Sequence, residues 1–165
     1  MSPTRARWIK LVAGLLLIGL SAPWVSTSPG AQRPVPPFRI TAVKAMLYYG
    51  QTGEFSADLF GPTAPTLQNV RTGEGQSTST LVVVEITGRP DAYAPTRQVS
   101  LTATAARRTL LTKTLGIGRP GEDGKFHAAF WVYDTGCVPV VLKARILGQA
   151  DDSAIQKTIN FKCGD

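Results

Sequence analysis

Two cysteines, Cys137 and Cys163, are the residues of this sequence with the most definite chemistry. In an oxidising compartment two such thiols pair as a disulfide. A redox-active pair would instead need a C-x-x-C spacing or a base beside the thiol that lowers its pKa, and the sequence has neither. The sequence therefore predicts a structural disulfide between Cys137 and Cys163.

The spacing of the flanking residues supports this pairing. Two apolar segments, 140–147 and 154–163, surround the polar turn GQADDSA and predict an antiparallel hairpin. In a hairpin the numbers of facing residues add to a constant, which is 302 for Leu147 facing Ile155 and 300 for the two cysteines. The inward faces have even numbers on one strand and odd numbers on the other, so a one-residue bulge is expected near Gly136–Pro139.

Other residues with chemical potential favour structural roles. His127 is the only histidine, and it lies in the middle of a predicted strand between Phe126 and Ala128. A triad needs a histidine, an activated serine and an orienting acid brought together, so a satisfied structural histidine is favoured. The match to G-x-G-x-x-G at Gly116–Gly121 is followed by GEDGK and another strand, whereas the dinucleotide motif needs a helix there. Asp151 and Asp152 are adjacent in a turn without the full calcium pattern. We expect no catalytic residue, no metal site and no cofactor, and therefore no enzyme.

Two features are candidates for binding. Trp131 and Tyr133, with His127, fall on the face of their strand opposite Phe126 and Phe130. An exposed Trp–Tyr face can bind sugars or partner proteins; the alternative is a strand covered on both faces. The second feature is the segment 61–80, which has little strand signal.

Long segments of this kind in compact domains are often functional or mobile. Arg71 and Glu74 are the candidate binding residues in it, and an ordinary polar turn is the alternative.

The elements that position these residues are strands. Beyond Phe38 apolar residues recur with a period of two and no segment has a helical period. Seven or eight such strands predict an all-β, two-sheet antiparallel sandwich of immunoglobulin-like type. The predicted strands are 39–49, 53–60, 81–88, 97–105, 109–117, 125–133, 140–147 and 154–163.

In strand number and loop rhythm the chain resembles immunoglobulin-like and fibronectin-type sandwich domains of secreted bacterial proteins. The stretch from Tyr133 to Cys137, YDTGC, is similar to the tyrosine-corner region of such domains, but its cysteine precedes the strand. The order Trp131, Cys137, Cys163 differs from the Cys–Trp–Cys order of antibody domains, and the resemblance assigns no functional residue.

The N-terminus predicts the compartment. MSPTRARWIK is a positive n-region, LVAGLLLIGL at 11–20 is an apolar segment of signal-peptide length, and small residues follow. We expect a signal peptide at 1–31, a Pro-rich tether at 32–38 and a β-sandwich domain at 39–165, with a secreted or periplasmic location. The alternative is an uncleaved anchor, which would be the only contact with a membrane.

The charge of the chain argues against nucleic acid as a partner. The formal net charge is +7, but three basic residues belong to the N-terminal segment. The remaining excess of about four is scattered, with no run longer than two, whereas nucleic-acid binding usually needs a clustered stripe.

Three classes of function are compatible with the sequence. We expect a non-enzymatic binding module for an envelope protein or glycan. The first alternative is a structural or assembly component of the envelope or of a surface fibre that uses strand addition. A carboxylate-dependent hydrolase is less favoured, because no pair of acids lies outside turns.

Overall fold

The computed structural model of the protein describes residues 38–64, 70–71, 75–90, 95–148 and 154–161. The predicted signal peptide and residues 32–37 of the tether lie outside these ranges. Ten strands are present in the described residues: β1 (Phe38–Tyr49), β2 (Glu54–Phe55), β3 (Val70–Arg71), β4 (Gly75–Gln76), β5 (Ser79–Gly88), β6 (Gln98–Ala105), β7 (Arg108–Gly116), β8 (Lys125–Tyr133), β9 (Val140–Leu147) and β10 (Ile155–Ile159).

Eight of these strands form two four-stranded antiparallel sheets, which confirms the predicted all-β, two-sheet fold. Sheet 1 has the order β2-β1-β5-β8, and sheet 2 has the order β10-β9-β6-β7. Strands β3 and β4 form a separate two-stranded ribbon. The bounds of β8 and β9 agree with the prediction, and β1 begins one residue early, at the fully buried Phe38.

Strand β5 is the centre of sheet 1 and shows why these segments become strands. Its sequence, STLVVVEITG, is rich in β-branched residues, which pack well on a pleated surface. Val82, Val84 and Ile86 on one face are fully buried, whereas the residues of the other face are only half-buried. One face therefore packs in the core and the other forms the outside of the sandwich.

The core lies between the two sheets. Phe38, Leu47 and Phe130 contribute from sheet 1, and Leu101 and Leu142 from sheet 2; all are at most 1% exposed. Removing this apolar area from water is the main favourable contribution to folding, at roughly 25 cal/mol per Å². Every inward residue predicted for 140–147 is buried.

A bulge in β1 interrupts the period of two. Ile40 pairs with Ile86 and Ala42 pairs with Glu85, so Thr41 is an extra residue in the ladder. The buried positions consequently change from even numbers before the bulge to odd numbers after it. Because of this shift the Thr41 side chain meets Glu85 on the outer face of sheet 1.

The β9–β10 hairpin has the odd register that the inward faces require. Ile155 pairs with Ala144 and Ile159 with Val140, so facing numbers add to 299. The described pairing therefore needs no bulge within the two strands, and Gly136–Pro139, where one was expected, precede β9.

The segment 61–80 contains more regular backbone than the sequence indicates. Val70 pairs with Gln76 and Arg71 with Gly75, which forms the β3–β4 ribbon, and β5 already begins at Ser79. The prediction of a twenty-residue segment with little strand is wrong in this respect. Short ribbons of two residues leave almost no periodic signal in a sequence.

Candidate binding site

Strand β8 separates its side chains onto two faces, as its sequence predicts. Ala128, Phe130 and Val132 are buried in the core. On the outer face Trp131 is half-buried and Tyr133 is 60% exposed. The alternative of a strand covered on both faces does not hold for the described residues.

Four aromatic rings gather on the outer face of sheet 1, and we call Tyr48, Phe55, Trp131 and Tyr133 the aromatic surface. The Trp131 ring lies 5.6 Å from Tyr48 in an edge-on arrangement and 6.0 Å from Phe55. Tyr48 and Phe55 are 5.3 Å apart, and Tyr133 lies 6.4 Å from Trp131 with nearly parallel rings. These distances between ring centroids are those of direct aromatic contacts.

Strand register explains why these rings meet. Tyr48 pairs with Phe55 across β1 and β2 and with Ser79 across β1 and β5, and Ser79 pairs in turn with Tyr133 on β8. Directly opposite residues lie about 4.5–5.5 Å apart at their Cβ atoms. One row across the sheet therefore contains three rings and a single small residue, with Trp131 beside it.

The small residue opens a groove of about 340 Å³ between the rings. Tyr48, Ser79, Trp131 and Tyr133 line it. Ligand sites of this size are usually lined by apolar and aromatic side chains, with a few polar groups that fix orientation. Here the polar groups are the hydroxyls of one serine and two tyrosines and the indole N–H of Trp131, so the groove suits an uncharged group with an apolar face.

The opposite end of the same sheet face is charged. Glu85 on β5 accepts a hydrogen bond of 2.9 Å from Thr41 Oγ1, and its carboxylate lies 3.3 Å from Lys125 Nζ and 3.4 Å from His127 Nε2. Thr87 Oγ1 donates to Thr41 Oγ1 at 3.1 Å. The outer face thus has an aromatic end and a polar end on the same three strands.

These contacts decide the protonation of Glu85. The hydrogen bond from Thr41 lowers the pKa of this carboxyl most strongly, and Lys125 and His127 lower it further, whereas burial raises it. The net result is a pKa below the ordinary value. Glu85 therefore stays ionised at neutral pH, when a catalytic general acid would need a raised pKa.

The three rings of the aromatic surface that contact one another, those of Tyr48, Phe55 and Trp131, do not form a cage around a cation. Aromatic cages for ammonium groups hold the cation among separated ring faces. Here Tyr48, Phe55 and Trp131 touch one another, so no such space lies among them. Stacking on the exposed faces of Trp131 and Tyr133 remains the available mode.

The structure brings together only part of the predicted site. Trp131 and Tyr133 are neighbours in the groove. The backbone of Arg71 lies in the β3–β4 ribbon, and Glu74 falls outside the described residues. Ser77, which follows the ribbon strand β4, donates a hydrogen bond to the backbone carbonyl of Tyr48 at 2.7 Å and so joins the end of the ribbon to the groove. Arg71 itself is not among the residues that line the groove.

The predicted disulfide falls partly outside the described residues. Cys137 carries no free thiol, and it lies between β8 and β9. Cys163 is outside the described ranges, as are Asp151 and Asp152. The pairing of Cys137 with Cys163 stays a prediction.

Sequence reasoning missed Tyr48, Phe55 and Ser79. Tyr48 shares a strand with the buried Tyr49, and its outward position was readable from the period of two. The residues that surround Tyr48 in the sheet could not be predicted, because β1, β5 and β8 are adjacent in space but not in sequence. Phe55 lies in a strand of two residues, which has no period at all.

Two other predictions can be compared with the structure. The glycine-rich loop after β7 leads into another strand, as expected for a turn loop. A Cβ on Gly118 would lie 2.9 Å from the Phe126 ring, so close packing requires glycine there. His127, expected to be a satisfied structural histidine, is exposed on the outer face with Glu85 as its partner.

A scan against protein-family models finds no match, and no curated protein matches the sequence. Among the residues that the structure describes, no helix is long and apolar enough to cross a membrane. Within the same ranges no group of three or more His, Cys, Asp or Glu side chains could hold a metal ion.

Proposed function

We propose that this protein is an exported, non-enzymatic binding module that captures an envelope protein or glycan through the aromatic surface. The observation that carries the proposal is the groove between Tyr48 and Tyr133, floored by Ser79, on the solvent side of a sheet. Aromatic side chains usually pack into a core, so a cluster of four on an outer face favours an interaction site.

The physical properties of the rings support this function. Tyr and Trp are enriched among residues that contribute most to interface energy, since they bury a large area with few rotatable bonds. Tyr133 is 60% exposed and Phe55 is 43% exposed, so both retain apolar area that a partner can bury. Their contacts with Trp131 already hold the rings in place, which lowers the entropy cost of binding.

We further propose that the sandwich is of the immunoglobulin-like type. Without the short β2, β3 and β4 the chain has seven strands. Sheet 1 contains the first, second and fifth of them, and sheet 2 contains the third, fourth, sixth and seventh. This order supports assignment of sheet 1 as strands A, B and E, and of sheet 2 as strands G, F, C and C′. In that scheme Trp131 lies on strand E, and the cysteines flank strands F and G.

The binding proposal is tested with substitutions at Tyr133, because its exposed ring contributes little to the core. The wild-type protein and the Tyr133→Ala variant are immobilised, and each is used to capture material from an envelope extract for identification. Tyr133→Phe keeps the ring and removes the hydroxyl, and Val138→Ala is the control at another exposed apolar residue.

We expect Tyr133→Ala to lose at least tenfold in capture, Tyr133→Phe to lose less, and Val138→Ala to be unchanged. Such a pattern would locate the contact on the ring face. Equal capture by all four proteins would contradict the proposal, provided that circular dichroism shows them equally folded.

Export is proposed from the N-terminal sequence and has its own test. We expect a mature chain that begins between Pro23 and Gln32, found outside the cytoplasm. N-terminal sequencing of the exported fraction measures this directly. An intact Met1 or Ser2 in that fraction would indicate an uncleaved anchor instead.

A structural role through strand addition remains the second candidate, and one observation favours it. Strand β8 is at the edge of sheet 1, with no described strand on its outer side. An extended segment can add to such an edge by main-chain hydrogen bonds.

A further inference from the structure

We propose that the outer edge of β8 is an interface on which a second copy of this chain pairs, antiparallel and about a two-fold axis at Ala129. The two copies would join their first sheets into one continuous sheet. This inference is independent of ligand binding by the aromatic surface, and it rests on the edges of the two sheets.

Three of the four sheet edges carry features that discourage pairing with another chain. Exposed edges are commonly protected by short strands, bulges and inward-pointing charges. At one edge β2 has only two residues, and beyond it loop side chains occupy the edge of β1. Ser56 Oγ accepts a hydrogen bond from the Leu47 N–H at 2.9 Å, and Asp58 Oδ1 accepts one from the Ala45 N–H at 3.0 Å.

The edges of sheet 2 are protected differently. On β10, Lys157 shares the inward face with Ile155 and Ile159, and its ammonium group lies 5.4 Å from the centre of the Phe60 ring. On β7, the register shifts opposite Ala103 and Thr104, which leaves Leu110 as an extra residue and bends the strand. An added strand would meet a charge at one edge and an irregular ladder at the other.

Strand β8 has none of these features. It has nine residues, and all of them pair with β5 without a bulge. It contains no proline, and no residue from Ala128 to Tyr133 is charged. Its two basic residues at the other end, Lys125 and His127, both face Glu85. An edge that is long and regular, with its lysine confined to the first residue and paired with Glu85, is the kind that templates a further strand.

The backbone groups available at this edge follow from the hydrogen-bond alternation. The carbonyl of Gly124 accepts from Gly88 of β5, whereas the carbonyl of Lys125 points away from β5 and accepts from Gly121. Because the direction alternates along an antiparallel strand, the odd-numbered residues of β8 direct their N–H and C=O groups outward. Ala129 is the central residue of this outward set.

Self-pairing about Ala129 sets the nine residues of one copy opposite the nine of the other, and the outward backbone groups of His127, Ala129 and Trp131 form the ladder because the Lys125 carbonyl is already bonded to Gly121. On the outer face His127 would lie opposite Trp131 of the second copy, and on the core-facing side Ala128 would lie opposite Phe130. Each large side chain of one copy thus lies opposite a small or an aromatic side chain of the other copy, and no two side chains of like charge face each other. The three central outward pairs would exchange about six backbone hydrogen bonds.

Charge substitutions at Ala129 test both the interface and its register. Ala129 is exposed on the outer face and pairs with itself in the proposed dimer, so Ala129→Lys and Ala129→Glu each oppose two like charges. The full chain is expressed and purified in the form that the host leaves after processing. Its association is measured by sedimentation equilibrium from about 1 to 200 μM, in the range where specific edge pairing should be populated.

We expect a monomer–dimer equilibrium for the wild type and about fivefold weaker association for each variant, in line with like charges opposed across strands. An equimolar mixture of the Lys and Glu variants should recover association, because unlike charges then meet at Ala129. Gln156→Glu adds the same charge at an exposed position on β10, at the far edge of sheet 2, and should leave association unchanged.

Each other result overturns the proposal. A wild type that stays monomeric to 200 μM excludes the dimer. Variants that dimerise as well as the wild type exclude the β8 edge, and weakened variants that fail to recover on mixing exclude the axis at Ala129. Circular dichroism and thermal unfolding of each variant show that loss of association is not loss of folding.

Discussion

Two adjacent residues on opposite faces of β8 should differ about twofold in how much their truncation to alanine lowers the free energy of unfolding. Phe130 is fully buried in the core, and Trp131 is half-buried on the outer face. Replacing a buried phenylalanine by alanine typically costs about 3–5 kcal/mol, because a cavity is added to the lost transfer free energy. We therefore expect Phe130→Ala to lower the free energy of unfolding by about 4 kcal/mol.

Trp131→Ala should cost about 2 kcal/mol although the side chain is larger. A half-buried tryptophan removes on the order of 100 Å² of apolar area from water, or about 2.5 kcal/mol at 25 cal/mol per Å². Residual burial in the unfolded chain reduces this figure. The site is open to solvent, so no closed cavity is left behind.

Urea unfolding followed by far-ultraviolet circular dichroism measures both variants. Tryptophan fluorescence is unsuitable, because Trp131 is the only tryptophan beyond the predicted signal segment. Val138→Ala, at a residue that is 46% exposed, should change stability by no more than about 0.5 kcal/mol. Equal losses for Phe130→Ala and Trp131→Ala would refute the reasoning, because they would mean that the outer face of sheet 1 is covered.

Three further predictions concern stability. Replacing Cys163 by Ser should remove the predicted bridge to Cys137 and cost about 3 kcal/mol in thermal unfolding, and free thiols titrating in the unreduced native protein would contradict it. Because the pKa of Glu85 is lowered, its ionised carboxylate contributes to the free energy of unfolding above the unfolded-state pKa of about 4.3. This contribution is lost as the pH falls through the folded-state pKa, and the Glu85→Gln variant should lack that loss of stability in an acid titration. Thr80 and Thr135 share a buried hydrogen bond of 3.1 Å between their hydroxyls. Thr80→Val leaves the other hydroxyl unpaired and should lower the free energy of unfolding by about 1–3 kcal/mol, whereas the double valine variant should lose no more than that. Additive losses in chemical denaturation would show that the two residues are uncoupled.

The fold was largely predictable from the sequence because alternation is a local signal. The bounds of β8 and β9 follow from β-branched and aromatic residues at every second position, bordered by glycine, proline and polar turns. The predicted register of the last hairpin was wrong, because Ile155 faces Ala144 and not Leu147; only the need for an odd sum followed from the parity of the inward residues. Each of these features depends on residues close together in the chain.

The binding site was only half predictable because it depends on which strands become neighbours. Trp131 and Tyr133 share one strand, so their common face was evident. Tyr48 meets them only because β1 pairs with β5 and β5 with β8, although β6 and β7, which follow β5 in the chain, belong to the other sheet. The bulge at Thr41, which brings a hydroxyl to Glu85, has no signature in the alternation, because it adds a single residue to one strand.

The pairing order of sheet 1 also bears on how fast the chain folds. Phe38 pairs with Gly88, fifty positions away, and β8 pairs with β5 only after two strands of the other sheet have been made. Chains dominated by such non-local pairings fold in milliseconds to seconds, because the entropy cost of closing long loops comes before the stabilising contacts between strands form. During synthesis the central strand of sheet 1 has no second neighbour until β8 has emerged, and β9 has no outer neighbour until the last residues follow. Neither sheet can therefore be completed until the C-terminal half of the chain has been made.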